Sequence, residues 1–181
     1  MADDASTVDE HGLIAAALKG DDRAREELAR RARARAYRVA FRLLGSSEDA
    51  RDAVQEAFLK AFRHLKSLRG ERFEPWFTKI VVNVCLDERR RRRRAVLLPL
   101  ETDGPASRDA DFALRNLVRR ALALLPDRYR AVLVLRDVEG YSTRETAELL
   151  GLEEGTTRVL LLRARRRLAD TLRELDGSEH L

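Results

Sequence analysis

Residues 73–94, FEPWFTKIVVNVCLDERRRRRR, constrain the chain most, because they leave little choice but a helix with two unlike faces. Pro75 suits a first helical turn, where its missing N–H would have no partner anyway. Phe77, Ile80, Val81 and Val84 recur at helical spacing and are expected to face a core. Lys79, Asn83, Asp87 and Arg90 form a polar stripe at the same period. Asn83 stands out there, since an amide both donates to and accepts from a base edge. Trp76 and Phe77 could serve as stacking platforms, but burial is the usual fate of aromatic rings and they are assigned to the core. Arg89 to Arg94 are six arginines in a row. Such a run can simply complement the negative end of the helix dipole. Its self-repulsion, however, points to a polyanion such as nucleic acid.

The rest of the composition agrees. Of 181 residues, 37% are charged and only 6% aromatic, so the cores must be aliphatic and the surface ionic, which suits helices. Lys and Arg number 36 against 31 Asp and Glu, a net +5 that favours a polyanionic partner over an acidic small substrate. Cys85 is the one cysteine and lies in an apolar run, where it should act as a small hydrophobe; no disulfide framework follows from it. The acidic start MADDASTVDEHG has no apolar signal core, and no segment approaches membrane-spanning length. The chain is therefore expected to be cytoplasmic, with no membrane insertion.

Taken in order, residues 1–7 read as disordered and a short helix follows from Val8 to Leu18, closed by Gly20. Gly20-Asp21-Asp22 is read as a helix stop and N-cap, not a metal motif. The segment Asp22–Leu44 is helical, and its arginines 31, 35, 38 and 42 read as a solvated stripe, with nucleic acid or a protein partner as the alternative. Ser46 to Asp49 supply the cap and early negative charge for DARDAVQEAFLKAFRHL. Asp49, Asp52, Gln55 and Glu56 gather on the outer side of that helix, an acidic patch in a basic protein and a candidate docking surface for a basic partner. AVLLPLETDGPAS, residues 95–107, has two prolines, a glycine and no sustained period, and is read as a linker. Beyond it come a helix over 108–125, a second opened by Pro126 and stopped at Gly140, a third begun by the capping box Ser142-Thr143-Arg144-Glu145 and stopped at Gly151, and a basic helix from Glu153 to Leu172. A short capped helix, a glycine turn and a longer basic helix are the parts of a helix-turn-helix. The expected fold is all-α, with two small helical domains, 8–94 and 108–174, joined by a flexible linker at 95–107.

Both halves together resemble the extracytoplasmic-function (ECF) group of bacterial RNA polymerase sigma factors. DARDAVQEAFLKAFRHL looks like the polymerase-docking helix of the second conserved region, and FEPWFTKIVVNVCLDERRRRRR like its promoter-melting and minus-ten reading segment. LPDRYRAVLVLRDVEGYSTRETAELLGLEEGTTR is similar to the minus-thirty-five helix-turn-helix of the fourth region. The resemblance implies that Asp49, Asp52, Gln55 and Glu56 bind core RNA polymerase. It implies that Lys66, Arg69, Arg72, Phe73, Lys79, Asn83 and Arg90 meet minus-ten DNA, the loop 66–73 and Asn83 holding a flipped base whose extrusion costs a few kcal/mol. It places Arg136, Ser142, Thr156, Arg158, Val159, Leu162 and Arg163 at minus-thirty-five DNA. Promoter DNA, core polymerase and an anti-sigma factor are the implied partners, with no cofactor. This chain departs from the family where a serine and an arginine are usual, since it has Val159 and Leu160 there, followed by Leu161 and Leu162. Whether Leu160 meets DNA or turns into the core is left open, because consecutive leucines cannot all point outward cheaply.

A stand-alone helix-turn-helix regulator that never joins polymerase is the competing reading; the acidic patch and the Asn83 segment argue against it, because such a regulator needs neither. An enzyme is not expected. The chain lacks a glycine-rich phosphate loop or nucleophile elbow, and His11, His64 and His180 are scattered, so neither catalytic nor metal-ligating residues are assigned.

Overall fold

The computed structural model describes residues 3–68, 72–94 and 110–178. All of the regular structure among them is helical: α1 Asp3–Leu18, α2 Asp22–Leu44, α3 Ser47–Arg63, α4 Phe73–Arg94, α5 Ala110–Leu124, α6 Asp127–Leu133, α7 Thr143–Leu150 and α8 Glu154–Ser178. The fold is thus all-α, with two small helical domains, α1–α4 and α5–α8, the second carrying the helix-turn-helix α7–α8. The expected linker, 95–107, and Arg69 lie outside the described residues. The first helix begins at Asp3 rather than Val8.

The helix ends follow local chemistry. Asp21 Oδ1 accepts from the backbone N–H groups of Arg23 at 2.9 Å and Ala24 at 3.2 Å, which starts α2. Gly45, at φ 82°, ends it in a left-handed conformation that costs a glycine nothing. Ser46 caps α3 through the N–H of Asp49. The start of α4 is capped from elsewhere in the chain: Glu10 of α1 accepts from the Phe73 N–H at 3.0 Å. In the second half Ser142 and Glu145 form the expected capping box, and Gly151 at φ 64° closes α7.

In the first half, α2, α3 and α4 pack with α1 around Leu28, Val39, Leu43, Val54, Phe77, Val81 and Val82. Phenylalanines 58, 62, 73 and 77 stack through this core, with Phe58 and Phe77 centroids 4.3 Å apart. A smaller core joins Leu125, Val132 and Leu133 to Leu161 and Ala164 of α8. After Leu133 the helix widens into a π-helical turn, Val134–Val138, rather than running regularly to Gly140. The wider turn brings Glu139 and Tyr141 towards α2 and α4, against which they bond.

The two halves are docked, a feature the periodicity did not foresee. Ala131, Val134, Leu135, Tyr141 and Leu149 of the second half join the core of the first. Polar contacts surround this seam. The Glu139 carboxylate, 4% exposed, pairs with Arg42, with Arg35 at 3.7 Å and with Arg38 at 4.0 Å. Arg35 also holds Glu74 at 2.7 Å and lies 4.3 Å from the centre of the Tyr141 ring, whose hydroxyl meets Thr78 Oγ1 at 3.2 Å. The arginine stripe of α2 is therefore not a freely solvated face: three of its four members converge on one buried carboxylate of the other half.

Arg130 is the most enclosed charge in the seam, at 1% exposure. It donates to the carbonyls of Leu43 at 2.8 Å and Leu122 at 2.5 Å, and its Nη2 finds no partner among the described residues. Burial, with the neighbouring Arg89 charge as a smaller cause, pushes its pKa down to about 9. Arg89 donates to the same Leu43 carbonyl at 3.1 Å and pairs with Asp127, as Arg93 does. The carbonyl end of α2 thus receives two guanidiniums, where the helix dipole favours positive charge.

Candidate functional site

The outer face of α3 follows from its apolar period. Ala50, Ala53, Val54, Ala57 and Ala61 turn inward, which leaves Asp52, Gln55 and Glu56 exposed. Asp49 is drawn back from that face, with its carboxylate 19% exposed and paired with Arg92. Arg92 also holds Glu88 at 2.8 Å, and Arg91 reaches Glu88 at 2.6 Å. The acid patch and the end of the arginine block are therefore in contact, a juxtaposition invisible in the sequence because the residues lie about forty positions apart. Leu59 was not among the candidates, yet it is 62% exposed and follows Glu56 by one turn. Its place off the buried alanine stripe was the available signal.

On α4 the two faces separate as the spacing predicts. Phe77, Val81, Val84 and Cys85 are buried, while Lys79, Asn83, Asp87 and Arg90 are exposed. Arg90 pairs with Asp87 at 3.0 Å. In the preceding turn Lys66 is exposed, and Arg72 lies 3.8 Å from Glu10. Phe73 requires a correction: at 2% exposure its ring is enclosed by Phe62, Trp76 and Phe77, so it is a core residue and offers no surface to a base. The arginine block is also more occupied than its density implied. Arg89, Arg92 and Arg93 are engaged by acids of α3, α4 and α6.

In the second half α7 and the glycine turn set the start of α8. Thr157, Leu161 and Ala164 face inward. Thr156, Arg158, Val159, Leu162 and Arg163 are all exposed, so the five candidates on this helix share solvent. Arg158 pairs with Glu154 one turn earlier. Leu160 goes to the core side, half-buried against the second cluster, which decides between the two placements left open by the sequence. The Ser142 hydroxyl accepts from the Glu145 N–H at 3.1 Å, so its oxygen is committed to the cap although the residue is exposed. Arg136 is half-buried in the π-helical turn and stands apart from the α8 stripe in the chain.

No group of three or more His, Cys, Asp or Glu side chains disposed to hold a metal occurs among the described residues. No described helix is long and apolar enough to cross a membrane. Cys85 is buried and burial pushes its thiol up to about 12, so it is chemically quiet.

Comparison with known proteins accounts for both halves. Residues 28–95 match the model of Sigma-70 region 2, and residues 115–168 match that of Sigma-70, region 4. The chain is 42% identical over 162 residues to the ECF RNA polymerase sigma factor SigM of Mycobacterium tuberculosis, covering 88% of this chain and 83% of that one. It is 29% identical to the ECF RNA polymerase sigma factor SigW of Bacillus subtilis, covering 87% and 93% of the two chains. Among solved structures, CnrH in complex with the cytosolic domain of CnrY superposes with a TM-score of 0.70 at 26% identity, covering 91% of this chain and 97% of that one. The sigma factor RpoE of Bartonella quintana, solved with the anti-sigma factor NepR, has the same fold, with a TM-score of 0.69 at 24% identity over 82% and 96% of the chains. An acidic outer face on α3, a polar stripe on α4 and a helix-turn-helix in α7–α8 are thus the features of a chain that belongs to the ECF group of RNA polymerase sigma factors.

Proposed function

We propose that this sigma factor docks on core RNA polymerase through Asp52, Gln55 and Glu56, with Asp49 released to them when Arg92 lets go. The exposed α4 stripe, Lys79, Asn83 and Arg90, together with Lys66, Arg69 and Arg72, meets the minus-ten element and aids its melting. The α8 stripe, Thr156, Arg158, Val159, Leu162 and Arg163, meets the minus-thirty-five element, with Arg136 beside the phosphates. The domains behind these roles are 8–94 and 108–174, linked by 95–107. A factor with this work acts where polymerase and genome are, in the cytoplasm, and an anti-sigma protein is a further partner, as NepR is for the sigma factor RpoE of Bartonella quintana. The chain is assigned no catalytic residue of its own.

The observation that carries this reading is the open acidic face of α3 in a chain of net +5, since a regulator that bound operator DNA alone would have no use for it. Glu56 tests it. Its side chain is 55% exposed and its partner is Lys60, one turn away at 2.7 Å, so Glu56→Lys should leave the helix folded. Titrated against core polymerase, the variant should bind more weakly than the parent. Equal affinity would remove α3 from the interface.

A further inference from the structure

The exposed side of α8 carries an unusual pair. Val159 is 50% exposed and Leu162 is 65% exposed, although both are large aliphatic residues in a chain with a well-filled core. They lie three residues apart, on one side of the helix, and the inward positions are already taken by Thr157, Leu161 and Ala164. They are not merely left over, because Arg158 and Arg163 flank them and Thr156 continues the same side one turn earlier. Two arginines flanking an apolar patch, on the first turns of the second helix of a helix-turn-helix, fit the major groove: arginines on phosphates, apolar groups against base edges. Only one base edge in that groove is apolar, the 5-methyl group of thymine.

Resting on the minus-thirty-five role given to α8, we propose that Val159 and Leu162 determine promoter specificity by packing on thymine methyl groups of that element. Hydrogen-bond readout at this point of the helix is correspondingly weak. Neither residue has a donor or acceptor, and Leu160, which occupies a position where the family usually has an arginine, is half-buried against the second apolar cluster rather than offered to the groove. The arginines supply sequence-independent attraction that salt screens, whereas the methyl contact is a matter of apolar area and is insensitive to salt.

Deoxyuridine differs from thymidine at the base only by lacking that methyl, and so isolates the contact. Holoenzyme reconstituted from the full chain and core polymerase is first given a promoter library with a randomised minus-thirty-five element. Each thymine of the selected element, on either strand, is then replaced singly by deoxyuridine and binding is measured at two salt concentrations. At one or two positions the replacement should weaken binding about fourfold, the worth of one buried methyl. That ratio should hold at both salts while overall affinity falls as salt rises. In Val159→Ala plus Leu162→Ala, thymine and uracil should bind equally; both sites are exposed, so folding is not at issue. Unchanged binding to every uracil-substituted promoter would overturn the proposal. So would a thymine preference that survives in the double variant, and the patch would then belong to a protein partner. A holoenzyme that selects no minus-thirty-five element at all would instead bring down the role of α8, and this inference with it.

Discussion

Glu139→Gln is the sharpest probe of how the halves are held. The substitution keeps the size of the side chain and an acceptor oxygen but removes the charge on which Arg35, Arg38 and Arg42 converge. Breaking a buried ion pair by deleting one partner costs about 3–5 kcal/mol, because the surviving charge is left uncompensated. Here the carboxylate is 4% exposed, but the three arginines are 31%, 51% and 34% exposed, so water takes over part of the loss. Arg35 also keeps Glu74 and the Glu139 carbonyl, the latter at 3.0 Å. Weighing these, the cost falls to about 2 kcal/mol, a shift of roughly thirtyfold in the docking equilibrium. Energy transfer between dyes at Leu59→Cys and Arg166→Cys, both exposed, would follow the separation of the halves, and calorimetry would follow stability. Transfer efficiency should drop in Glu139→Gln. Glu148→Gln, which breaks only the exposed 3.1 Å pair with Arg144 inside α7, should leave it unchanged. Unchanged transfer in both variants would show that the buried carboxylate does not hold the halves together; a lowered melting point with unchanged transfer would make Glu139 a stabiliser of its own half.

Other expectations follow from single contacts. Asn83→Ala should relax base preference at one minus-ten position by about 1–3 kcal/mol without changing stability, since the side chain is exposed; identical library selections for both proteins would make Asn83 irrelevant to reading. Ser142→Ala removes half of the capping box and should destabilise the second domain by about 1 kcal/mol, read as a lower midpoint in urea. Cys85, with its thiol pushed up from an ordinary 9.0 to about 12, should react with a thiol reagent at pH 8 at least about a thousandfold more slowly in the native protein than in urea. The same shift has a sign in stability: above pH 9 the unfolded chain loses a proton that the native state keeps, so the contribution of Cys85 to stability falls as pH rises from about 9. Rapid native labelling would mean that α4 opens readily around it.

How far the sequence reached can be judged element by element. The limits of α4, the buried positions Phe77, Val81, Val84 and Cys85 and the exposed Asn83 stripe follow from a 3.6-residue period that needs no knowledge of what lies opposite. The caps at Asp21, Ser46 and Ser142 are equally local, since each satisfies backbone groups two or three residues away. What the local pattern could not give was the partner of each charge. Arginines are alike along a chain, and whether one meets solvent, a phosphate or a carboxylate depends on which acid the tertiary fold brings near. So the α2 stripe, read as solvated, meets Glu139 about a hundred residues away, and Arg92 of the dense block meets Asp49 of the acidic patch. The family resemblance places Phe73 at a DNA pocket, but the aromatic stack encloses its ring. Leu160 is the same case in reverse: periodicity left two faces open to it, and only the packing of α8 on α6 and the end of α5 decided that it turns inward while Val159 and Leu162 remain outside. Backbone conformation and the face of a helix are settled within a few turns, and the sequence alone carries them. The identity of a contact across the fold depends on the sum of all packing, and only the tertiary structure carries that.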